Sequence, residues 1–271
     1  MGVRHGIVIS GILMLIISCT ATDNKEITIV ADGQKITTAS VNTSAPACPI
    51  DMLHVAGNFC TNAEQVCTSL DKSVHNANGY VKCDQYATTK CLTPETNRPH
   101  MNFCIDKYEY PNIEGGTPAV MVSWNEMRSN CAAQGKRLCR DVEWTFACEG
   151  EEAMPYPYGY DRESLTCNID HRQKPNFDAS KDEMTPETVS YLDQRVKSGS
   201  MASCVSPFGV HDMTGNVDEW TINSSGRPYN SSLKGGHWVI GARNRCRPAT
   251  IIHNETFQYY EIGGRCCEDA K

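Results

Sequence analysis

Fifteen cysteines in a chain of 271 residues constrain this fold more than any other feature. Thiols in that number are hazardous in a reducing cytosol, whereas an oxidising compartment turns them into cross-links. Cys19 stands apart, and the other fourteen, from Cys48 to Cys267, are an even number that permits seven disulfides. The competing use of cysteine is zinc. No C-x2-C pair occurs anywhere in the chain, so zinc is the weaker reading.

The N-terminus reads as an export signal. Residues 1–18 carry an early Arg4, an apolar run from Ile7 to Ile17, and Ile16-Ile17-Ser18 ahead of Cys19. The run is short for a membrane span, and a small residue before cysteine is the pattern of a bacterial lipoprotein signal, cleaved with lipidation of Cys19. An ordinary secretory signal is the rival reading, and both export the chain. Thr20 and Ala21 offer no acidic retention signal, so the expected location is the bacterial cell envelope, lipid-anchored, at the outer membrane. Residues 19–47 are polar and Thr- and Ser-rich, and are read as a flexible linker; the alternating Ile27–Val30 piece has strand character, but the linker is preferred. A formal charge of -7 without a basic run argues against nucleic acid as a partner.

The remaining chain is organised around Pro207–Trp238, PFGVHDMTGNVDEWTINSSGRPYNSSLKGGHW. Gly215 and Gly235-Gly236 mark backbone that bends sharply or takes φ > 0. Asp212 and Glu219 could supply carboxylate oxygens, together with loop carbonyls, to one hard cation such as Ca²⁺. Trp220 and Trp238 would anchor the two turns in a core. On pattern alone, two plain turns with apolar anchors are preferred over a metal loop.

Local signals place a few elements. Met52–Val55 is strand-like and ends at Gly57, and Ile105–Tyr110 alternates as a strand should. Ser123 with Glu126 forms a capping box, and Trp124, Met127, Cys131 and Ala132 fall on one helical face that Gly135 ends. A second, shorter helix is expected over about 141–148, with Val142 and Phe146 on one side. Residues 174–197 lack a sustained apolar period and read as a long solvated loop held by Cys167 and Cys204.

The run GVHDMTGNVDEW, followed by KGGHW and then GGRC, resembles the formylglycine-generating enzyme, or sulfatase-modifying factor, family, with its G-[LV]-x-[DN]-M-x-G-N-V-x-E-W signature. Matches upstream keep the family's order: CPIDMLHVAGNFC, FCIDKYEYPN, PAVMVSWNEMRSNCAAQGKRL, EWTFACEG and YPYG. Together they span residues 48–268. The resemblance implies an α+β, C-type-lectin-like fold: loop-rich, disulfide-dense, with small antiparallel sheets and two short helices. It moves the metal reading ahead, because the family's calcium loop maps onto Asp212, Gly215, Val217 and Glu219, the middle two through carbonyls. A second family site begins at the pair matching Asn168 and Ile169. The resemblance also implies disulfides Cys131–Cys266 and Cys148–Cys246. Cys267, next to Cys266 on a strand, would face the other way and need its own partner, for which Cys139 is suggested. Residues 61–100 depart from the family, with Cys67, Cys83 and Cys91 among polar residues, and read as a disulfide-stapled surface excursion.

The family's catalytic segment is where this chain departs most. Copper-dependent members hold Cu(I), a thiolate-seeking ion, on two cysteines between the Gly-Gly turn and the position of Cys246. Here His237–Arg245 is shorter and has no cysteine; the first thiol position falls on Ile240, the second near Gly241 or in the deletion. His237 replaces a small hydroxyl residue, and Asp218 replaces an aromatic. No catalytic residue is assigned and copper is not expected. The H-x3-H-x-E pattern of related iron-dependent sulfoxide synthases is also missing. A new metal site of His237 with His211 or His253 is weaker than ordinary hydrogen-bonded histidines. His237, Trp238, Arg243 and Arg245 mark a possible groove. Two readings follow: a non-catalytic, calcium-stabilised binding module, attached to the membrane by its lipid and recognising an envelope protein, peptide or glycan; or an envelope oxidase or protein-modifying enzyme with altered metal ligands.

Overall fold

The computed structural model describes residues 28–31, 34–37, 46–75, 81–179 and 181–271. The signal expected at residues 1–18 and the lipidation expected at Cys19 lie outside the described residues. The chain forms two units, 1–45 and 46–271. Within the first, strand β1 (Thr28–Ala31) pairs antiparallel with β2 (Gln34–Thr37), so most of the Ile27–Val30 piece read as linker belongs to a hairpin.

The second unit begins with β3 (Met52–Asn58). The Cys-rich excursion contributes β4 (Ala63–Glu64), β5 (Cys67–His75), β6 (Val81–Tyr86) and β7 (Lys90–Cys91). After β8 (His100–Asp106) come helix α1 (Trp124–Ala133), β9 (Arg137–Leu138) and α2 (Asp141–Glu149). A third helix, α3 (Pro186–Leu192), precedes β10 (Asp218–Ile222), β11 (Ser231–Lys234), β12 (Ala249–Thr250), β13 (Ile262–Gly264) and β14 (Cys266–Asp269). The fold is α+β and loop-rich, with two four-stranded sheets ordered β3-β8-β14-β9 and β12-β11-β10-β13. The first is antiparallel throughout. The second pairs β10 with β11 and β11 with β12 antiparallel, as expected of small antiparallel sheets, and adds one parallel pair, β10 with β13.

Helix α1 starts as its sequence dictates. Ser123 Oγ accepts from the Glu126 N–H while the Ser123 N–H donates 2.8 Å to the Glu126 carboxylate, so two otherwise orphaned donors are satisfied. Trp124, Met127 and Cys131 turn inward, whereas Ala132 is exposed, one step off the buried stripe. Helix α2 is buried along nearly its whole length, with Trp144 and Phe146 fully enclosed. Helix α3 falls inside the stretch expected to be loop. Its Thr185 cap and Pro186 start it, but only Leu192 is buried, so the apolar period is too weak to see in the sequence.

Adjacent cysteines on β14 join two cores. Cys266 faces the cluster of Trp124, Met127, Leu138 and Trp220 and bonds Cys131. Cys267 faces the opposite cluster of Phe103, Trp144 and Phe146 and bonds Cys139. Cys148–Cys246 and Cys167–Cys204 tie α2 and the 167–204 loop to the body, and Cys48–Cys104 closes the domain's entry. The excursion is stapled by Cys60–Cys91 and Cys67–Cys83, but it is also seated on the body. Tyr156 donates its hydroxyl to the Cys83 carbonyl at 2.9 Å, Arg162 its N–H to the Asp84 carbonyl at 2.7 Å, and Gln65 and Thr89 both bond the Ala153 carbonyl.

Candidate functional site

The 212–219 loop folds as it does because glycine alone fits its turn. Gly215 has φ +79°, and a Cβ there would collide with the Asn168 carbonyl. Asp212 and Asn216 also take positive φ, which short polar side chains tolerate. The second turn lies against the first: the Gly215 N–H donates to the Gly235 carbonyl at 3.1 Å, and Gly235, at φ +88°, sits close to Trp144. Trp220 is fully buried and its indole N–H donates to the Val122 carbonyl at 2.8 Å, fixing the loop to the start of α1.

One buried guanidinium, Arg265, pairs with Glu219, and two further buried carboxyls, Asp212 and Glu109, lie within range of its charge. Glu219 accepts two hydrogen bonds from Arg265, both 2.7 Å, and one from the Trp144 indole at 2.7 Å. Asp212 accepts from the Gly199 N–H at 2.7 Å. Glu109, which sequence reasoning missed, accepts from Ser198, Asn216 and the Val217 N–H. Its only sequence signal was a glutamate among apolar residues after a buried strand. Burial pushes the Glu109 carboxyl well above the usual range, helped by the nearby Asp212 and Glu219 charges. Burial likewise raises Asp212 to about 6, against the pull of the Gly199 N–H and Arg265.

The two ligand sets that the resemblance separates are interlocked. Asn168 donates its amide to Asn216 Oδ1 at 2.9 Å, and its carbonyl accepts from the Asn216 N–H at 2.9 Å. Ile169 is buried beside Gly215. Arg265 offsets Glu219, which leaves Asp212, among the expected ligands, as the carboxylate without a cationic partner; among the described residues no three carboxylate, histidine or cysteine side chains gather as a metal cluster, so a cation here would depend on Asp212, Glu219 and the loop carbonyls. The carbonyls of Gly215 and Val217 accept no hydrogen bond among the described residues, although both residues are buried. Glu219 is the least free of the expected ligands, because both of its oxygens are engaged.

The possible groove is only partly assembled. Trp238 is entirely buried, in a core with Leu192, Val217 and Tyr260, and is not a groove wall. His237 stands edge-on to Trp238 and to Tyr260. Arg243 pairs with Asp218, the residue that replaces the family's aromatic. Arg245 turns away to the excursion, 5.6 Å over the Tyr86 ring. His237 Nδ1, Trp238 Nε1, the Tyr259 hydroxyl and Glu261 Oε2 are buried without a hydrogen-bond partner. Burial lowers His237 to about 4 and raises Glu261 to about 8, the latter with help from Asp218. The region is therefore polar and close to uncharged apart from the Asp218–Arg243 pair. Among the described residues His237, His211 and His253 do not gather with other ligating side chains into a metal cluster. All fourteen cysteines from Cys48 to Cys267 are in disulfides, so among the described residues no free thiol faces Ile240 or Gly241.

A disulfide-stapled, loop-rich α+β domain with a buried Asp-x2-Gly-x-Val-x-Glu turn is the class that fold and site define. The chain belongs to the family of sulfatase-modifying factor enzyme 1-like domains, whose model matches residues 20–270. Curated relatives include inactive C-alpha-formylglycine-generating enzyme 2 of Bos taurus, 29% identical over 165 residues, covering 56% of this chain and 50% of that protein. The Mus musculus protein of the same name is 28% identical over 162 residues, covering 56% of this chain and 49% of that protein. The chain thus spans about half the length of the curated relatives it matches. The crystal structure of CarF has a TM-score of 0.50 at 16% identity, covering 82% of this chain and 99% of that one, which shows a shared fold.

Proposed function

We propose that the chain is an exported, lipid-anchored module of the bacterial cell envelope that has kept the sulfatase-modifying-factor fold and given up its oxidase chemistry. In this reading it binds an envelope protein, peptide or glycan. One observation carries the non-catalytic reading: every cysteine from Cys48 to Cys267 is held in a disulfide, while Ile240 stands where the family's first thiolate would be and the second position falls near Gly241 or in the deletion. Cu(I) selects thiolates, and this segment offers none. The inactive curated relatives agree with that direction.

Calcium is the proposed structural ion. Asp212 and the carbonyls of Gly215 and Val217 would hold it, with Glu219 completing the set from lone pairs that Arg265 and Trp144 leave free. Its charge would offset the carboxylates that Arg265 leaves uncompensated, and its binding free energy would add to folding stability.

The second reading, an envelope oxidase or modifying enzyme with altered ligands, draws on the unpartnered polar atoms of His237 and Glu261. Metal analysis and copper titration of the purified protein separate the two. Calcium retained without stoichiometric copper or iron is the expected result. Stoichiometric copper or iron would overturn the non-catalytic reading.

A further inference from the structure

A cleft lies away from the 237–245 segment. It has a volume of about 600 Å³ and is walled by the first turns of α1, the end of β10, Asn230 and the 255–256 loop. That volume falls within the range of small-molecule sites.

Its walls are held in place by one another. The Trp124 indole N–H donates to the Thr221 carbonyl at 2.9 Å, so the ring is fixed by β10. The Asn125 N–H donates to the Glu255 carbonyl at 3.1 Å, and Glu255 Oε1 accepts from both the N–H and the side-chain amide of Asn230, at 2.7 and 3.0 Å. Arg128 lies over the Trp124 ring at 5.7 Å, which holds its guanidinium against the wall. Among the described residues neither the Arg128 guanidinium nor the Asn125 carboxamide makes a hydrogen bond, and no carboxylate pairs with Arg128. Both side chains are exposed. A preformed cleft with an apolar floor of Trp124 and Ile222 therefore carries unspent planar polar groups on its rim.

We infer that this cleft is a saccharide-binding site. Carboxamide, guanidinium and carboxylate each present paired donors or acceptors in a plane, which suits vicinal hydroxyls, while the apolar floor suits the C–H face of a sugar ring. Arg128, lacking a carboxylate of its own, takes one from the ligand as a bidentate partner, so a uronic acid binds more tightly than its neutral parent sugar. The inference rests on the reading of the chain as a binding module and names its ligand class.

The test uses the calcium-loaded, full-length protein with methyl glucoside, methyl glucuronide and a neutral dipeptide as probes, read by saturation-transfer NMR and calorimetry. Transfer to sugar-ring protons is expected, with the glucuronide bound at least fivefold tighter. Arg128→Ala abolishes that preference and Asn125→Ala weakens both sugars, each with an unchanged melting midpoint because both side chains are exposed. Absence of transfer to either sugar, transfer that survives both substitutions, or binding of the dipeptide alone would overturn the assignment. None of these results bears on the copper titration, so the ligand class and the non-catalytic reading fail independently.

Discussion

Replacing Asp212 by Asn should stabilise the calcium-free protein and abolish its response to calcium. Asp212 is 2% exposed and its carboxyl is raised from 3.8 to about 6 by burial. That rise corresponds to about 3 kcal/mol favouring the neutral carboxyl in the folded state. A folded value above the unfolded one means that the folded state holds the extra proton. In calcium-free protein the stabilisation is complete below pH 3.8 and is lost as pH rises through about 6. At neutral pH the ion-free domain carries the full penalty, and Asp212→Asn removes it. In a domain of this size about 1 kcal/mol moves the midpoint by roughly 2–4 °C, so the ion-free variant should melt about 6–12 °C above the ion-free parent at pH 7. The parent should recover that difference on adding calcium, which requires the ionised carboxylate, and the variant should not respond. A ligand at 100 times its dissociation constant contributes about 2.7 kcal/mol, a gain of similar size. Scanning calorimetry of calcium-stripped and calcium-loaded parent and variant, from pH 4.5 to pH 7.5, measures all four curves. If the ion-free parent keeps the same midpoint across that range and calcium moves neither protein, the loop is a plain turn and the cation argument is wrong.

The remaining predictions are direct. Arg265→Met leaves Glu219 buried and uncompensated in the calcium-free protein, and should cost about 3–5 kcal/mol in denaturant unfolding with chelator present; a loss below about 1 kcal/mol would contradict the role given to that pair. Gly215→Ala puts a Cβ against the Asn168 carbonyl at positive φ and should cost at least about 1–3 kcal/mol, and a midpoint equal to the parent's would show that the loop relaxes freely. Cys19→Ser should shift the protein from the detergent phase to the aqueous phase or leave its signal uncleaved; unchanged partitioning of a normally cleaved variant would end the lipid-anchor proposal.

What could be read from the sequence followed from how local each cause is. The capping box at Ser123 and Glu126 needs only four residues, and the opposite facing of Cys266 and Cys267 follows from strand geometry alone. The parallel pairing of β10 with β13 joins residues more than forty positions apart, with no pattern in either strand to announce it. Helix α3 buries one residue and so leaves no period. Glu109 was missed because its partners, Ser198, Asn216 and Val217, lie about ninety or more positions away. Trp238 reads both as a core anchor of its turn and as part of a possible groove, and the core of Leu192, Val217 and Tyr260 claims its ring. The seating of the excursion on Ala153, Tyr156 and Arg162 is likewise a matter of tertiary hydrogen bonds to backbone carbonyls, mostly from side chains, which composition does not reveal.

The proposal that this member of the family does not form formylglycine rests on a segment, 237–245, that holds no thiol. Incubating the purified, calcium-loaded protein with a Cys-x-Pro-x-Arg peptide, copper and reductant, and following the peptide by mass spectrometry, tests it most directly. The account predicts that the peptide thiol stays intact at every copper loading. Conversion of the cysteine to formylglycine at a rate that rises with copper occupancy would contradict it.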